Sequence, residues 1–562
     1  MAIIPGTSGD DTLIDNGKDT ESELNSNWSE GEDTMVGGIN NDTYRVNSEG
    51  DQVVELAGQG TDTVLSRLPY YRLPDHVENL ALHPTPHVAM PLAGVGNALD
   101  NRINGGPDDN LLVGLDGNDS LHGNTASDTL LGGRGDDNLR GDWGNDSLHG
   151  DEGNDLLNGS FGRDLMYGGS GDDRLHGEHE QDVLDGGDGD DILFAAQDAS
   201  KDLLIGGAGN DIYHLDGQDE VVEQAGDGID QLVAWADTIL GAHLENLRLS
   251  DGAPQAKLGR GNELDNVLTG SQYSNRLEGL AGDDTLYGMS GHDVLDGGSG
   301  SDRLFGDIGD DRLDGGGFTG TPDLLAGGAG NDSYVFHGDE TLVERAEEGT
   351  DEVLSTTNAT LGTHFENLTL SDTAGPGVLN GGGNNLANLI TGNRWNNVLF
   401  GLDGHDTLRG DSGDDVLSGG TGNDQLRGEA GDDLLHGGAG RDRFVFGAPD
   451  GGRGDEVLDF DPAQDTLVLL DELDTGARGS VPGGIAGLSF TAGHLADAAF
   501  FKGSGLTGQE AGSHSGIYVN TLTGWVWYNP STAEAGDSRL VARLSGDLVA
   551  RMDSTDFTYG AG

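Results

Sequence analysis

Residues 401–445 read GLDGHDTLR, GDSGDDVLS, GGTGNDQLR, GEAGDDLLH and GGAGRDRFV. Gly401, Gly410, Gly419, Gly428 and Gly437 stand nine residues apart and each opens the same phrase. Glycine holds positions one and four of each phrase, aspartate position six and a large apolar residue position eight. A fixed nine-residue period of this composition is the signature of a parallel β-helix whose turns bind calcium.

The composition of the phrase says why a ligand is needed. A single large apolar side chain per nine residues cannot offset the ordering of nine backbones, and glycine loses more freedom than any other residue. Glycines at turn positions accept positive φ, which lets backbone carbonyls point inward. The aspartate at position six completes a shell of hard oxygens. Such a shell suits Ca²⁺ better than Mg²⁺, which demands octahedral geometry and keeps its waters. Folding of such an array is then coupled to metal binding and cooperative along the solenoid.

Composition across all 562 residues agrees. Hydrophobic residues make up 34%, too little for a conventional core of this size, while glycine alone numbers 100. The formal charge of −72 opposes compaction and argues strongly against nucleic acid as a partner. Without cations such a chain should be largely disordered. The absence of cysteine excludes disulfide staples and thiolate metal sites. The start, MAIIPGTSGDDTL, carries no basic region or apolar stretch of the kind a cleavable signal peptide needs, and no segment is long and apolar enough for a membrane span.

Working outward, the nonapeptide recurs in three arrays that imply an all-β fold. A fragmentary start (1–46) holds Asp11, Asp33 and Asp42, and a spacer (47–104) follows. The first array (105–215) carries candidate ligands Asp119, Asp137, Asp146, Asp155, Asp164, Asp173, Asp191 and Asp211. After a second spacer (216–269), the second array (270–336) carries Asp284, Asp293, Asp302, Asp311 and Asp332. It includes an insertion around Phe318 to Pro322 near Asp323. After a third spacer (337–391), the third array (392–446) carries Asp406, Asp415, Asp424, Asp433 and Asp442. Residues 447–562 form a C-terminal region richer in apolar and aromatic residues. The three spacers share landmarks: Glu55, Glu223 and Glu344; Asp62, Asp230 and Asp351; and the phrases VENLAL, LENLRL and FENLTL, whose alternation predicts short strands. Each spacer re-enters the register through repeats with Asn at position six: Asn101 and Asn110, Asn266 and Asn275, Asn388 and Asn397.

These phrases resemble the repeats-in-toxin (RTX) family of secreted bacterial proteins, over most of residues 1–446. The resemblance implies a parallel β-roll in which six residues make a turn and three a short strand. It further implies multiple Ca²⁺ ions, each held between turns two repeats apart by position-six aspartates and turn carbonyls. Carried over, Asp119 shares an ion with the turn of Asp137, Asp128 with that of Asp146, Asp284 with that of Asp302 and Asp406 with that of Asp424. Ala126, Glu180 and Ser200 stand where position four should be glycine, which sets Asp128, Asp182 and Asp202 apart from the ligand set. The Asn-bearing repeats resemble uncharged turns that hold no ion. At the C-terminus, LDFDPAQDTLVLL resembles the strand pair capping such rolls. The hairpin GIYVNTLTGWVWYNP and the terminal DFTYG resemble an uncleaved type I secretion signal, with the secretion machinery as the implied partner.

Catalytic readings are weak. There is no HExxH and no Gly-x-Ser-x-Gly elbow; Gly410 to Gly413 imitates a serine-protease phrase but opens a repeat. His122, His149 and His176 recur at position nine, where alternation between two sides of a roll keeps them apart and facing solvent. Trp525 and Trp527 fit a packed hairpin better than a sugar or membrane contact. The sequence thus points to a non-enzymatic, calcium-folded, secreted protein, extracellular or on the bacterial surface. Its expected role is in a surface, matrix or adhesion layer with a cell-surface or polysaccharide partner. The alternative is a secreted toxin or hydrolase whose active site lies in the spacers or C-terminal region.

Overall fold

The nine-residue rule written in the chain becomes a coil rule in three dimensions. The computed structural model describes residues 2–5, 7, 9, 11–14, 22–25, 31–83, 92–195, 200–317, 322–374, 377–447, 454–470, 473, 485, 488, 490–491, 493–504, 506, 514–530, 538–545 and 547–560. The chain divides into two compact units, Met1–Asp284 and Thr285–Gly562. Each is built on an all-β parallel solenoid; among the described residues, short 3-10 turns and antiparallel pairings occur in the second unit.

In the first unit, β1 (Asn110–Asp116) pairs in parallel with β3 (Thr129–Arg134), and β2 (Ser120–Thr125) with β4 (Asn138–Trp143). Consecutive repeats therefore alternate between two sheets, and each residue stacks on its equivalent two repeats on. Leu112 faces Leu130, and Leu121 faces Leu139. The odd period of nine reverses the side a coil presents, while the period-two alternation within each strand turns position eight inward. Leu112, Leu130, Leu148, Met166 and Leu184 form one wholly buried column, and Leu121, Leu139, Leu157, Leu175 and Leu193 the other.

The strands of the first array are longer than the expected three residues. Ser120–Thr125 and its neighbours span six, because pairing resumes past position one: Asn124 faces Asp142 and Thr125 faces Trp143. The N–H of position four also reaches the next coil, Gly117 donating to the Arg134 carbonyl at 2.8 Å. Only Gly117, Asn118 and Asp119 remain as the bend. Three-residue strands do occur, as at Thr407–Arg409 and Gln425–Arg427 in the second unit.

The spacers are coils of the same sheets. Ile212–Leu215 pairs in parallel with Gln231–Ala234, which pairs with Asn246–Leu249 and then Val267–Thr269. In the second unit, Ser333–Phe336, Glu352–Ser355, Asn367–Leu370, Leu389–Thr391 and Thr407–Arg409 follow the same order. The expected strands at VENLAL, LENLRL and FENLTL are present as Asn79–Leu82, Asn246–Leu249 and Asn367–Leu370. Residues 318–321 of the expected insertion lie outside the described residues.

Aromatic side chains at equivalent positions stack along the outside of the first unit. Trp143 lies 4.3 Å from Phe161, and Phe161 4.7 Å from His179, between ring centroids. His122 and His176 share one sheet and His149 occupies the other. All three are half-buried rather than freely solvent-facing, and the ladder places a ring beside two of them: His176 stacks on Phe194 at 4.3 Å and His149 on Tyr167 at 4.8 Å, while His122 pairs with Arg140.

At the C-terminus, Asp455–Val457 and Thr466–Leu470 extend the two sheets of the third array in parallel. Arg539–Leu544 and Phe557–Gly560 add to them in turn. Gly516–Asn520 and Trp525–Asn529 form the expected antiparallel hairpin, with Ile517 opposite Tyr528. Val526 and Tyr528 are buried, whereas Trp525 stays exposed.

Candidate metal centres

The bend that ends each repeat turns position six into the coil, so its carboxylate leaves water. All eighteen aspartates proposed as ligands are at most 3% exposed. One oxygen of sixteen of them is fixed by a backbone N–H of the preceding coil. Asp119 donates its backbone N–H to Asp137 Oδ1 at 2.6 Å, Asp137 to Asp155 Oδ1 at 2.7 Å, and Asp155 to Asp173 Oδ1 at 2.7 Å. The column continues through Asp191 and Asp211 to Asp230. A second column runs through Asp128, Asp146, Asp164, Asp182 and Asp202. Asp284 accepts from the Asn266 N–H at 2.7 Å. In the second unit, Asp293, Asp311 and Asp332 form one ladder, and Asp302 leads to Asp323. Asp406, Asp424 and Asp442 form another ladder, and Asp415 leads to Asp433.

In fourteen of these aspartates the other oxygen has no donor. Oδ2 of Asp119, Asp137, Asp146, Asp155, Asp164, Asp173, Asp191 and Asp211 is buried without a hydrogen bond. The same holds for Asp311, Asp332, Asp406, Asp415, Asp424 and Asp442. Each such oxygen faces a glycine that must lack a side chain. A Cβ on Gly114 would collide with Asp119 Oδ2 and with the Gly132 carbonyl of the next coil, and one on Gly401 would meet Asp406 Oδ2 and the Gly419 carbonyl. Carboxylate and carbonyl oxygens thus converge with nothing between them but a glycine Cα. The electrostatics match. Burial pushes Asp137 up to about 7 despite the Asp119 N–H, and its neighbours Asp119 and Asp155 push the same way. Burial likewise raises Asp415 to about 8. A buried, donorless oxygen is costly, and a cation relieves it. The residues present therefore fit Ca²⁺, held by aspartate Oδ2 and glycine carbonyls.

Asp128 and Asp182, set apart from the ligand set by their missing glycines, take the same arrangement. Ala126 and Glu180 adopt positive φ (80° and 72°), so the turns form at the expense of backbone strain rather than failing. Asp128 Oδ2 is as donorless as its neighbours, and Asp182 is equally buried. Asp202 stays buried in the second column.

The Asn-bearing turns differ in backbone as well as charge. In Asp-bearing turns, position two takes positive φ, as at Leu115, Asp142 and Leu402. In Asn-bearing turns, position two instead donates its N–H to the amide oxygen: Asn97 to Asn101 at 2.7 Å, Asn262 to Asn266 at 2.8 Å, Asn384 to Asn388 at 2.8 Å. Except at Asn110, whose Nδ2 is buried without a partner, the amide nitrogen donates back to spacer carbonyls, such as Asn101 Nδ2 to Glu78 O at 3.2 Å and Asn388 Nδ2 to Glu366 O at 3.2 Å. The amide thus supplies by itself the donor that these carbonyls need.

One ladder escaped the sequence reading. Position five forms an exposed rail along one side: Asn118 donates its N–H to Asp100 Oδ1 at 2.9 Å, Asp136 to Asn118 Oδ1 at 3.0 Å and Asn154 to Asp136 Oδ1 at 3.0 Å. The recurrence of Asn and Asp at that position is the signal that could have found it.

Donorless carboxylate oxygens set against glycine carbonyls, coil after coil, define a calcium-binding parallel β-roll. Ten overlapping segments covering residues 95–219, 260–322 and 382–444 match the RTX calcium-binding nonapeptide repeat. Over these segments the chain carries RTX calcium-binding nonapeptide repeats, and such repeats bind multiple Ca²⁺ ions. No curated protein matches the chain. Among the described residues, no helix is long and apolar enough to cross a membrane.

Proposed function

We propose that the protein is a secreted calcium-binding repeat protein that folds on meeting extracellular Ca²⁺ and serves as a non-catalytic surface, matrix or adhesion component. The supporting observation is the column of buried, donorless Oδ2 atoms from Asp119 to Asp211. Without a cation these carboxylates oppose the coil they belong to; with one they tie consecutive coils together. Extracellular calcium modules work at about 10⁻⁴–10⁻³ M, so a chain of this charge stays open at low calcium and closes outside the cell. The C-terminal region carries the export signal read by a type I secretion machinery, and the rigid, acidic roll presents itself to a cell-surface or polysaccharide partner.

A calcium titration followed by far-ultraviolet circular dichroism, with ion counting by calorimetry, tests the folding claim. The β signal should rise cooperatively with calcium and collapse on chelation; a calcium-independent spectrum refutes it. Deleting residues beyond Arg443 should trap the protein inside secreting cells, and its continued release would refute the export claim. Protease, lipase or haemolytic turnover by the purified protein, lost on a spacer substitution, would refute the non-catalytic reading.

A further inference from the structure

We propose that two array-to-spacer junctions each hold a divalent cation in a three-carboxylate site built by Asp211, Glu223 and Asp230 in the first unit and by Asp332, Glu344 and Asp351 in the second. In each trio the ligand oxygens lie within 4.8 Å of one another. The proposal rests on the calcium reading of the repeats and adds to their last aspartates four spacer carboxylates, Glu223, Asp230, Glu344 and Asp351, that lie outside the nonapeptide pattern.

The junction is where the repeat runs out of ligands. In a regular turn, a Cβ on Gly186 would meet Asp191 Oδ2 and the carbonyl of Gly206, two repeats on. At Gly206 the next coil is spacer, and the group opposite Asp211 Oδ2 is the Tyr213 hydroxyl. That hydroxyl donates to Glu223 Oε1. At Gly327 the equivalent groups are Asp332 Oδ2 and the Tyr334 hydroxyl, which donates to Glu344 Oε1. The spacer thus replaces the missing glycine carbonyl with a carboxylate steered by a tyrosine.

The steered carboxylates are unfinished. Asp211 Oδ2, Asp332 Oδ2, Glu223 Oε2 and Glu344 Oε2 are buried with no hydrogen-bond partner. Asp211 and Asp332 are each 1% exposed, and Glu344 8%. Tyrosine satisfies only one oxygen of each glutamate. Asp230 and Asp351 each give one oxygen to the ladder above, accepting from Asp211 N–H and Asp332 N–H at 2.8 Å. Among the described residues, no salt bridge joins these six carboxylates to a Lys, Arg or His. Three clustered carboxylates, all hard oxygen donors, call for Ca²⁺ or a lanthanide ion of similar size. A third carboxylate gives the junction more negative charge than a turn built from aspartate and carbonyls, so it fills at lower calcium. The first spacer brings Asp42, Glu55 and Asp62 together in the same way. There Asp42 Oδ2 accepts the Gly38 N–H at 2.9 Å, so the proposal stops at the second and third spacers.

The test uses the full-length calcium-loaded protein with Glu223→Gln and Glu344→Gln, singly and together. Equilibrium dialysis should show one ion lost in each single variant and two in the double, with the remaining ions and the β signal retained. Terbium luminescence excited through tyrosine should fall in Tyr213→Phe and Tyr334→Phe while their calcium counts stay at the wild-type value. An unchanged ion count in both glutamate variants overturns the proposal. So does loss of the β signal at saturating calcium, which would give the glutamates a structural role only. A wild-type protein that binds no calcium would instead refute the reading of the repeats themselves.

Discussion

Replacing Asp155 by Asn separates the two roles of a position-six aspartate. Asp155 accepts the Asp137 N–H on Oδ1 at 2.7 Å, and its Oδ2 is buried without a donor beside the Gly168 carbonyl. Asparagine keeps the first contact and puts an NH₂ where the second oxygen stands. In chelator, removing the unsatisfied carboxylate should stabilise the coil by about 1–3 kcal/mol. In calcium at a hundred times a site's Kd, losing that ion should cost about 2.7 kcal/mol. The substitution therefore changes sign with calcium. Calorimetry should count fewer bound ions for Asp155→Asn, and the calcium midpoint of the β signal should rise. In chelator, the same variant should show more β signal than wild type at a given pH. An unchanged ion count, or less β structure than wild type in chelator, would refute the assignment of Oδ2 as a ligand.

Acid should favour the metal-free fold. Burial raises Asp137 to about 7 and Asp155 to about 6, so the folded chain holds protons that the unfolded chain has released. That stability is greatest below about pH 4, the ordinary carboxylate range, and is lost as pH climbs to about 7. Circular dichroism in chelator should therefore gain β signal from pH 8 to 5, whereas in calcium the midpoint should move to higher calcium over the same range. Leu139→Ala empties a wholly buried position and should cost about 2–5 kcal/mol, read as a raised calcium midpoint with unchanged ion count. Ala126→Gly should relieve a residue held at φ 80°, by about 1–2 kcal/mol, and lower the midpoint. Asn388→Asp would turn an oxygen toward the Phe365 and Glu366 carbonyls that the amide now serves at 3.1 and 3.2 Å; it should destabilise the third array without adding an ion to the calorimetric count.

Nine consecutive residues carry their own turn, so the repeat, its large apolar residue and its position-six aspartate were all legible along the chain. The reason is that glycine conformation and period-two alternation act over a few residues. Other features depended on neighbours eighteen or more residues away. The ladder absorbs insertions, stretching from its usual step to twenty residues between Asp182 and Asp202 and twenty-one between Asp302 and Asp323. Asp128 looked compromised by Ala126, yet the stacked coils hold that alanine at positive φ and keep the site. The spacers read as interruptions because their periodicity lapses, but parallel pairing makes them coils of the same sheets. Sequence alone determined that this protein repeats a calcium-seeking turn. Only the tertiary structure decided which oxygens lose both water and donor, because that depends on what the coils above and below present to each carboxylate.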